Sequence, residues 1–261
     1  MKRLLFLLLL LACPTVTSAQ ELQTLSNGEV ADAEDINDNF RLLLTKIESL
    51  QSRIEAIEDP PIVYSKSLGS ALQSNGLTFA AESKAIAYVE RGVNAGRHYW
   101  EITARCGPDT MGIQMGVIGA NSLPNSLEAL NQNGSTESED EIFITSDGAR
   151  LFRGFTSDGA EDWGFLSTAT NDVFLIALDL NSSSIYFGKN GVWAGDADPV
   201  KNLNPSFEGL NGVYNAFIAG TSRECDPNTF VTNFGASDFA FNVPSGYFKG
   251  YCPTIDCEIA E

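Results

Sequence analysis

The sequence predicts an all-β protein: a bent, two-sheet antiparallel β-sandwich preceded by one α-helix. Three observations carry this expectation. From Ile62 onward, short β-rich apolar runs alternate with turn residues, the mark of a sandwich. Residues 172–193 contain two such runs around a polar turn, and the first, Val173 to Leu180, is apolar on both faces apart from Asp179. A strand of that composition belongs at the centre of a sheet covered on both sides. Between Ile36 and Ile57, apolar residues recur at alternating spacings of four and three, which is a helical stripe.

Taken in chain order, residues 1–19 read as an export signal. Lys2 and Arg3 form a basic start, Leu4 to Ala12 an apolar run too short to span a bilayer, and Thr17-Ser18-Ala19 a small-residue cleavage site. A rival reading takes Leu10-Leu11-Ala12-Cys13 as a lipoprotein box with Cys13 as the lipidated residue, although Pro14 directly after it suits that processing poorly. Secretion, or a periplasmic or cell-surface location, is expected either way, and no later segment is long and apolar enough to cross a membrane. Residues 20–31 are a lead-in whose stretch Ser26 to Ala33 resembles a segment found after the signal in exported bacterial proteins.

The helix is predicted over 32–59. Asp32 is the expected N-cap, and Glu34 and Asp35 lie in the first turn, where the helix dipole favours acids. Pro60 and Pro61 end it as a hinge. Phe40, Ile47 and Ile54 take heptad position a; Ile36, Leu43, Leu50 and Ile57 take d. A lone helix must bury such a stripe, either on its own sandwich or on copies of itself. Arg53 at g and Glu58 at the following e favour a parallel coiled coil, and β-branched a residues with Leu at d lean towards two strands. Phe40 at an a position keeps a trimer open, so the expected assembly is a homodimer or homotrimer.

The sandwich is predicted over 62–250, with strands at 62–66, 77–80, 86–90, 98–106, 111–119, 141–145, 149–154, 173–180, 184–188, 213–221 and 229–234. Within 98–106, Trp100, Ile102, Ala104 and Cys106 share one face, and Glu101, Thr103 and Arg105 the other. Lys189-Asn190-Gly191 makes a tight turn, since Asn-Gly accepts positive φ at little cost. The one long irregular stretch, Asn121 to Asp140, is rich in Asn, Ser and Glu; a loop of that length is either functional or mobile.

Three segments resemble the signature of the SPRY domain family. They are Gly96 to Ile102, with its Gly-Arg-His-Tyr-Trp-Glu-Ile run; the Leu178-Asp179 hairpin with its Lys189-Asn190-Gly191 turn; and Phe230 to Gly235 followed by Phe241 to Tyr247. They occur in family order. The resemblance implies a SPRY / concanavalin-like sandwich that binds a protein or peptide through loops at one edge and has no catalytic machinery of its own. The family's contact residues lie in variable loops, so the resemblance assigns none here. Most familiar members are intracellular and lack disulfides, and an exported, cysteine-bearing chain departs from that pattern.

The formal net charge is −18, and loss of Lys2 and Arg3 with the signal would make it more acidic. Such a chain repels nucleic acid and anionic lipid, and neither is an expected partner. Beyond Cys13 four cysteines remain, an even number that suggests two disulfides in an exported chain. Cys252 and Cys257, close together with Pro253 bending the chain, are expected to pair in the tail 251–261, leaving Cys106 to pair with Cys225.

Candidate ligand residues are few. Glu137, Glu139 and Glu141 alternate as glycosidase acids would, but Ser, Thr and Asp around them suggest a solvated loop. Trp163, Tyr214, Glu139 and Glu141 are the candidate ligand residues, and Trp163, Tyr214 and the acidic turns could form a lectin-like site binding a glycan with calcium. Asp158, Glu161, Asp162, Asp196 and Asp198 lack a calcium-loop register and read as turn acids. His98, the only histidine, is expected to fill a structural role. No cofactor or metal site is predicted, nor any catalytic residue. The functional expectation is a multivalent, non-enzymatic interaction protein; the alternatives are the calcium-assisted lectin and, behind it, a glycoside hydrolase.

Overall fold

The computed structural model describes residues 33–58, 62–69, 72–80, 84–105, 112–132, 134–146, 150–154, 161–162, 168–220, 230–253 and 257–261; in the helix, side chains are described for 37–51. The chain divides into two units, Met1–Pro60 and Pro61–Glu261.

In the first unit, α1 runs over Ala33–Glu58, 26 residues, as the heptad spacing predicts. Phe40, Leu43, Ile47 and Leu50 are exposed along it, and so is Leu44 at an e position, which widens the apolar stripe. Such a face in a surface helix is unfinished until something covers it.

In the second unit the strands are β1 (Lys66–Leu68), β2 (Thr78–Phe79), β3 (Ala85–Tyr88), β4 (Arg97–Ala104), β5 (Gln114–Gly119), β6 (Glu141–Thr145), β7 (Arg150–Arg153), β8 (Glu161–Asp162), β9 (Val173–Asp179), β10 (Ser184–Lys189), β11 (Val192–Trp193), β12 (Phe207–Glu208), β13 (Tyr214–Gly220) and β14 (Phe230–Asn233). They form two antiparallel sheets. The first has the order β1-β3-β13-β5-β6-β7-β8; the second has β11-β10-β9-β4-β14-β2, with β12 also against β10. The two-residue strands β8, β11 and β12 are too short to leave a periodic signal. The expected strand at 62–66 begins later because its amides turn to different partners: Tyr64 N–H bonds the Gly76 carbonyl, and Ser65 N–H that of Tyr88.

β9 holds the central place its composition demands, between β10 and β4, and every residue of it is buried. Phe174, Ile176 and Leu178 point into the core between the sheets, with Trp100, Ile102 and Ala104 of β4 and Met115 and Val117 of β5. Val173, Leu175 and Ala177 point the other way, into a second cluster with Tyr99 and Tyr186. Trp193, Phe239, Phe241 and Val243 pack on that cluster, so connections roof the outer face of the second sheet. Glu101 lies under this roof instead of in water, as alternation alone would place it. Its carboxylate accepts from the Tyr99 hydroxyl (2.8 Å) and from the Ala240 and Phe241 amides (2.8 and 2.9 Å).

Two local features follow directly from sequence. Asn190 and Gly191 both have positive φ, 51° and 82°, the pairing that matches a tight turn to the twist of β10 and β11. Gly116 of β5 has no room for a side chain: a Cβ there would sit 2.0 Å from the Ile142 carbonyl oxygen.

The C-terminal tail completes the second sheet. Phe248 N–H bonds the Arg97 carbonyl, and Tyr99 N–H bonds the Gly250 carbonyl, along the stretch of β4 that β14 leaves unpaired. Residues 257–260 then return beside 246–249, with Lys249 N–H to Glu258 and Ala260 N–H to Tyr247. The Cys252–Cys257 disulfide, Cα atoms 6.1 Å apart, closes this turn. A loop that short stabilises by about 2 kcal/mol in the chain-entropy treatment. The expected Cys106–Cys225 pair lies outside the described residues.

Candidate functional site

The long segment between β5 and β6 is folded, not loose. The outer face of the first sheet carries Ile86, Tyr88, Ile118, Phe143 and Phe217, and Leu123 and Leu130 from the segment cover them. Burial of this kind is worth about 25 cal/mol for each Å² of apolar surface removed from water. Polar ties hold the segment in place. The Tyr88 hydroxyl donates to the Pro124 carbonyl (3.2 Å), and the Lys84 ammonium to the Leu130 carbonyl (3.0 Å). At its two ends, Ala120 N–H bonds Val213 and Gly119 N–H bonds Asp140.

Glu141 is the anchor beneath the segment. Fully buried, it accepts through Oε2 from the Ser135 hydroxyl (2.6 Å), the Thr136 amide (3.0 Å) and the Thr136 hydroxyl (3.1 Å). Among the described residues, its Oε1 is buried without a hydrogen-bond partner. Loss of hydration pushes its carboxyl above the ordinary carboxylate range, and the donors on Oε2 pull back against that shift. Glu137, two residues beyond Ser135, holds a positive φ of 60°, a left-handed position for a non-glycine.

The folded segment leaves an open cleft of about 290 Å³. Asn121, Ser122, Asn125, Thr136 and Ser138 give it polar walls, and Leu123, Pro124 and Ala129 give it apolar ones. The Ser122 and Ser138 hydroxyls meet at 2.7 Å, tying one wall to the other.

Among the described residues, those singled out from sequence are not brought together. Glu139 is exposed on the turn before β6. Glu141 is buried beneath the loop rather than solvated with its neighbours. Tyr214 is 2% exposed and packs in the core between the sheets, where it accepts a hydrogen bond from Tyr251 through its carbonyl. Burial removes Glu141 and Tyr214 from the reach of a ligand. Trp163 lies outside the described residues, as does Asp158. Asp198 caps its own turn, accepting from the Val200 and Lys201 amides and pairing with the Lys201 ammonium at 2.6 Å. Asp196 is exposed beside Gly195. Among the described residues, no group of three or more His, Cys, Asp or Glu side chains converges as metal ligands would.

His98 is a structural residue. Nε2 meets the Ala95 carbonyl at 2.8 Å, and Nδ1 accepts the Cys252 amide at 3.1 Å. Only the neutral ring with its proton on Nε2 satisfies both bonds. Burial lowers its pKa below 6.5, against the smaller opposing pull of Ala95 and Asp179. The fully buried Asp179 pairs with Arg97 Nε at 2.8 Å and accepts from the Asn181 and Ser182 amides. One carboxylate thus ties β9 to β4 and shapes the β9–β10 turn. The cleft residues were missed in the sequence because Asn, Ser and Thr in a loop carry no periodicity; the length of the loop was the only signal.

No protein-family model and no curated protein matches this chain. Among solved structures, it is similar to the SPRY domain of human HERC1. The likeness covers 66% of this chain and 94% of that one, at 17% identity and a TM-score of 0.46. The sandwich itself rests on the strand pairing above. Among the described residues, no helix is long and apolar enough to cross a membrane.

Proposed function

We propose that this chain is an exported, non-enzymatic interaction protein that recognises a protein or peptide through its sandwich loops and is made multivalent by α1. The β5–β6 segment carries this reading: it is fastened to the first sheet by Glu141, Tyr88, Leu123 and Leu130, so it presents a fixed surface at little ordering cost. The three segments that resemble the SPRY family point to the same kind of activity. The apolar stripe of α1 would join two or three copies, and linked copies turn weak single contacts into firm capture. Export, at the cell surface, in the periplasm or with a lipid on Cys13, fits the leader and the paired Cys252 and Cys257.

The glycosidase reading leans on Glu141 and the calcium-lectin reading on Tyr214, and neither gains support from the burial of these side chains. The test is capture of surface proteins from neighbouring cells by the full chain, compared with a variant carrying Leu130→Asp, which should unseat the segment. Capture that is saturable and lost in the variant supports the reading. Capture indifferent to the variant, or turnover of a polysaccharide by the wild type, would overturn it.

A further inference from the structure

We infer that the cleft in the β5–β6 segment is a binding site for a neutral, hydroxyl-rich ring, a hexopyranose unit, held without a metal ion. This goes beyond protein recognition and does not rest on it. The cleft of about 290 Å³ sits at the small end of ligand pockets, which run from roughly 300 to 1,000 Å³. It suits one ring rather than an extended chain.

The wall chemistry selects the class. Among the described residues, no ionisable side chain lines the cleft. An anion would find no cation there, and the exposed Glu137, Glu139 and Asp140 on the same turn, in a chain of net charge −18, disfavour its approach. A cation would find no carboxylate on the walls. What the walls offer are the Asn121 and Asn125 amides, which both donate and accept, and the Ser122, Ser138 and Thr136 hydroxyls, which keep lone pairs beside the bonds that tie them, a match for a ligand whose own hydroxyls do both. Leu123, Pro124 and Ala129 add apolar surface for the C–H faces of a ring. A purely apolar ligand would leave the Asn121 and Asn125 amides that it covers unsatisfied.

The walls are also fixed before any ligand arrives. Ser122 is tied to Ser138, Ser138 accepts the Asp140 amide at 3.2 Å, and Thr136 is held on Glu141. Preorganisation of this kind lowers the cost of binding.

The test uses the full chain, titrated with D-glucose, D-galactose, D-mannose and N-acetylglucosamine, with sialic acid as the anionic control. The same sugars immobilised as glycan ends form a second arm. Saturable binding of at least one neutral sugar, unchanged by EDTA and weakened about tenfold or more in Ala129→Trp, is the expected result. Ala129 is exposed, so the indole fills the cleft without entering the core. Asn121→Ala, also at an exposed position, is the second variant if the first misfolds. Binding in both arms assigns a glycan end, and binding in solution alone assigns a free sugar. No saturable binding of any neutral sugar, loss of binding with EDTA, or binding that both variants leave intact would overturn the proposal. If Ala129→Trp blocks protein capture and no sugar binds, the cleft takes a peptide side chain and the sugar assignment falls while protein recognition stands.

Discussion

Asp179 shows how much one side chain can organise. It is fully buried, pairs with Arg97 and caps the turn that follows it. Removing one member of such a pair strands the other. Arg97→Ala should cost about 3 kcal/mol in chemical denaturation, and the double variant with Asp179→Ala less than the sum of the two single losses. His98 and Glu141 give a pH dependence of opposite signs. Burial lowers the folded pKa of His98 below its unfolded value of 6.5, so its contribution is present above 6.5 and is lost as pH falls through the folded value. Glu141, raised above 4.5, favours the fold when protonated, and that contribution is lost as pH rises through its folded value. Melting curves between pH 4 and 7 should therefore show His98→Gln losing the acid-side decline and Glu141→Gln losing the alkaline-side one. Matching slopes in wild type and both variants would refute this. None of these partners was legible from sequence. Asp179 stood out as a lone acid in an apolar run, but Arg97 lies far from it along the chain and meets it only through the β4–β9 register.

At the scale of elements, the central strands were readable because their burial is periodic. Composition placed β9 in the middle of a sheet, and Asn190-Gly191 set the turn after β10. The roofs over the outer faces were not readable. Leu123, Leu130, Phe239 and Phe241 are isolated apolar residues in irregular chain, and only the fold shows which sheet each one covers. For the same reason Glu101 and Glu141 looked solvent-facing. The pairing of Cys252 with Cys257 followed from their closeness and Pro253, but what the bond holds did not. Reduction with a dithiol should release 257–261 from 246–249. Hydrogen exchange would then show the Lys249 and Ala260 amides losing protection while β9 keeps its own. Unchanged protection at those two amides would refute a clamping role.

For the molecule as a whole, the exposed stripe of α1 is the feature that most needs a partner. Phe40 is 62% exposed and Ile47 49%. If copies of the chain cover it, Ile47→Asp places a charge in the seam and should yield monomers by light scattering, while a chain starting at Ile62 should be monomeric from the outset. A monomeric mass for all three proteins would remove the assembly. The acidic surface adds a second expectation: association with any cationic partner should weaken as salt rises through the physiological range, where the screening length is about 8 Å.

The covering of the first sheet by the β5–β6 segment has a practical consequence. The segment that walls the cleft is the same segment whose Leu123 and Leu130 cover Phe143 and Phe217. Whatever seats itself there must raise the melting temperature, so a thermal-shift screen can search for ligands without knowing their identity. By the same coupling, variants selected for a new ligand will tend to be less heat-resistant than their parent.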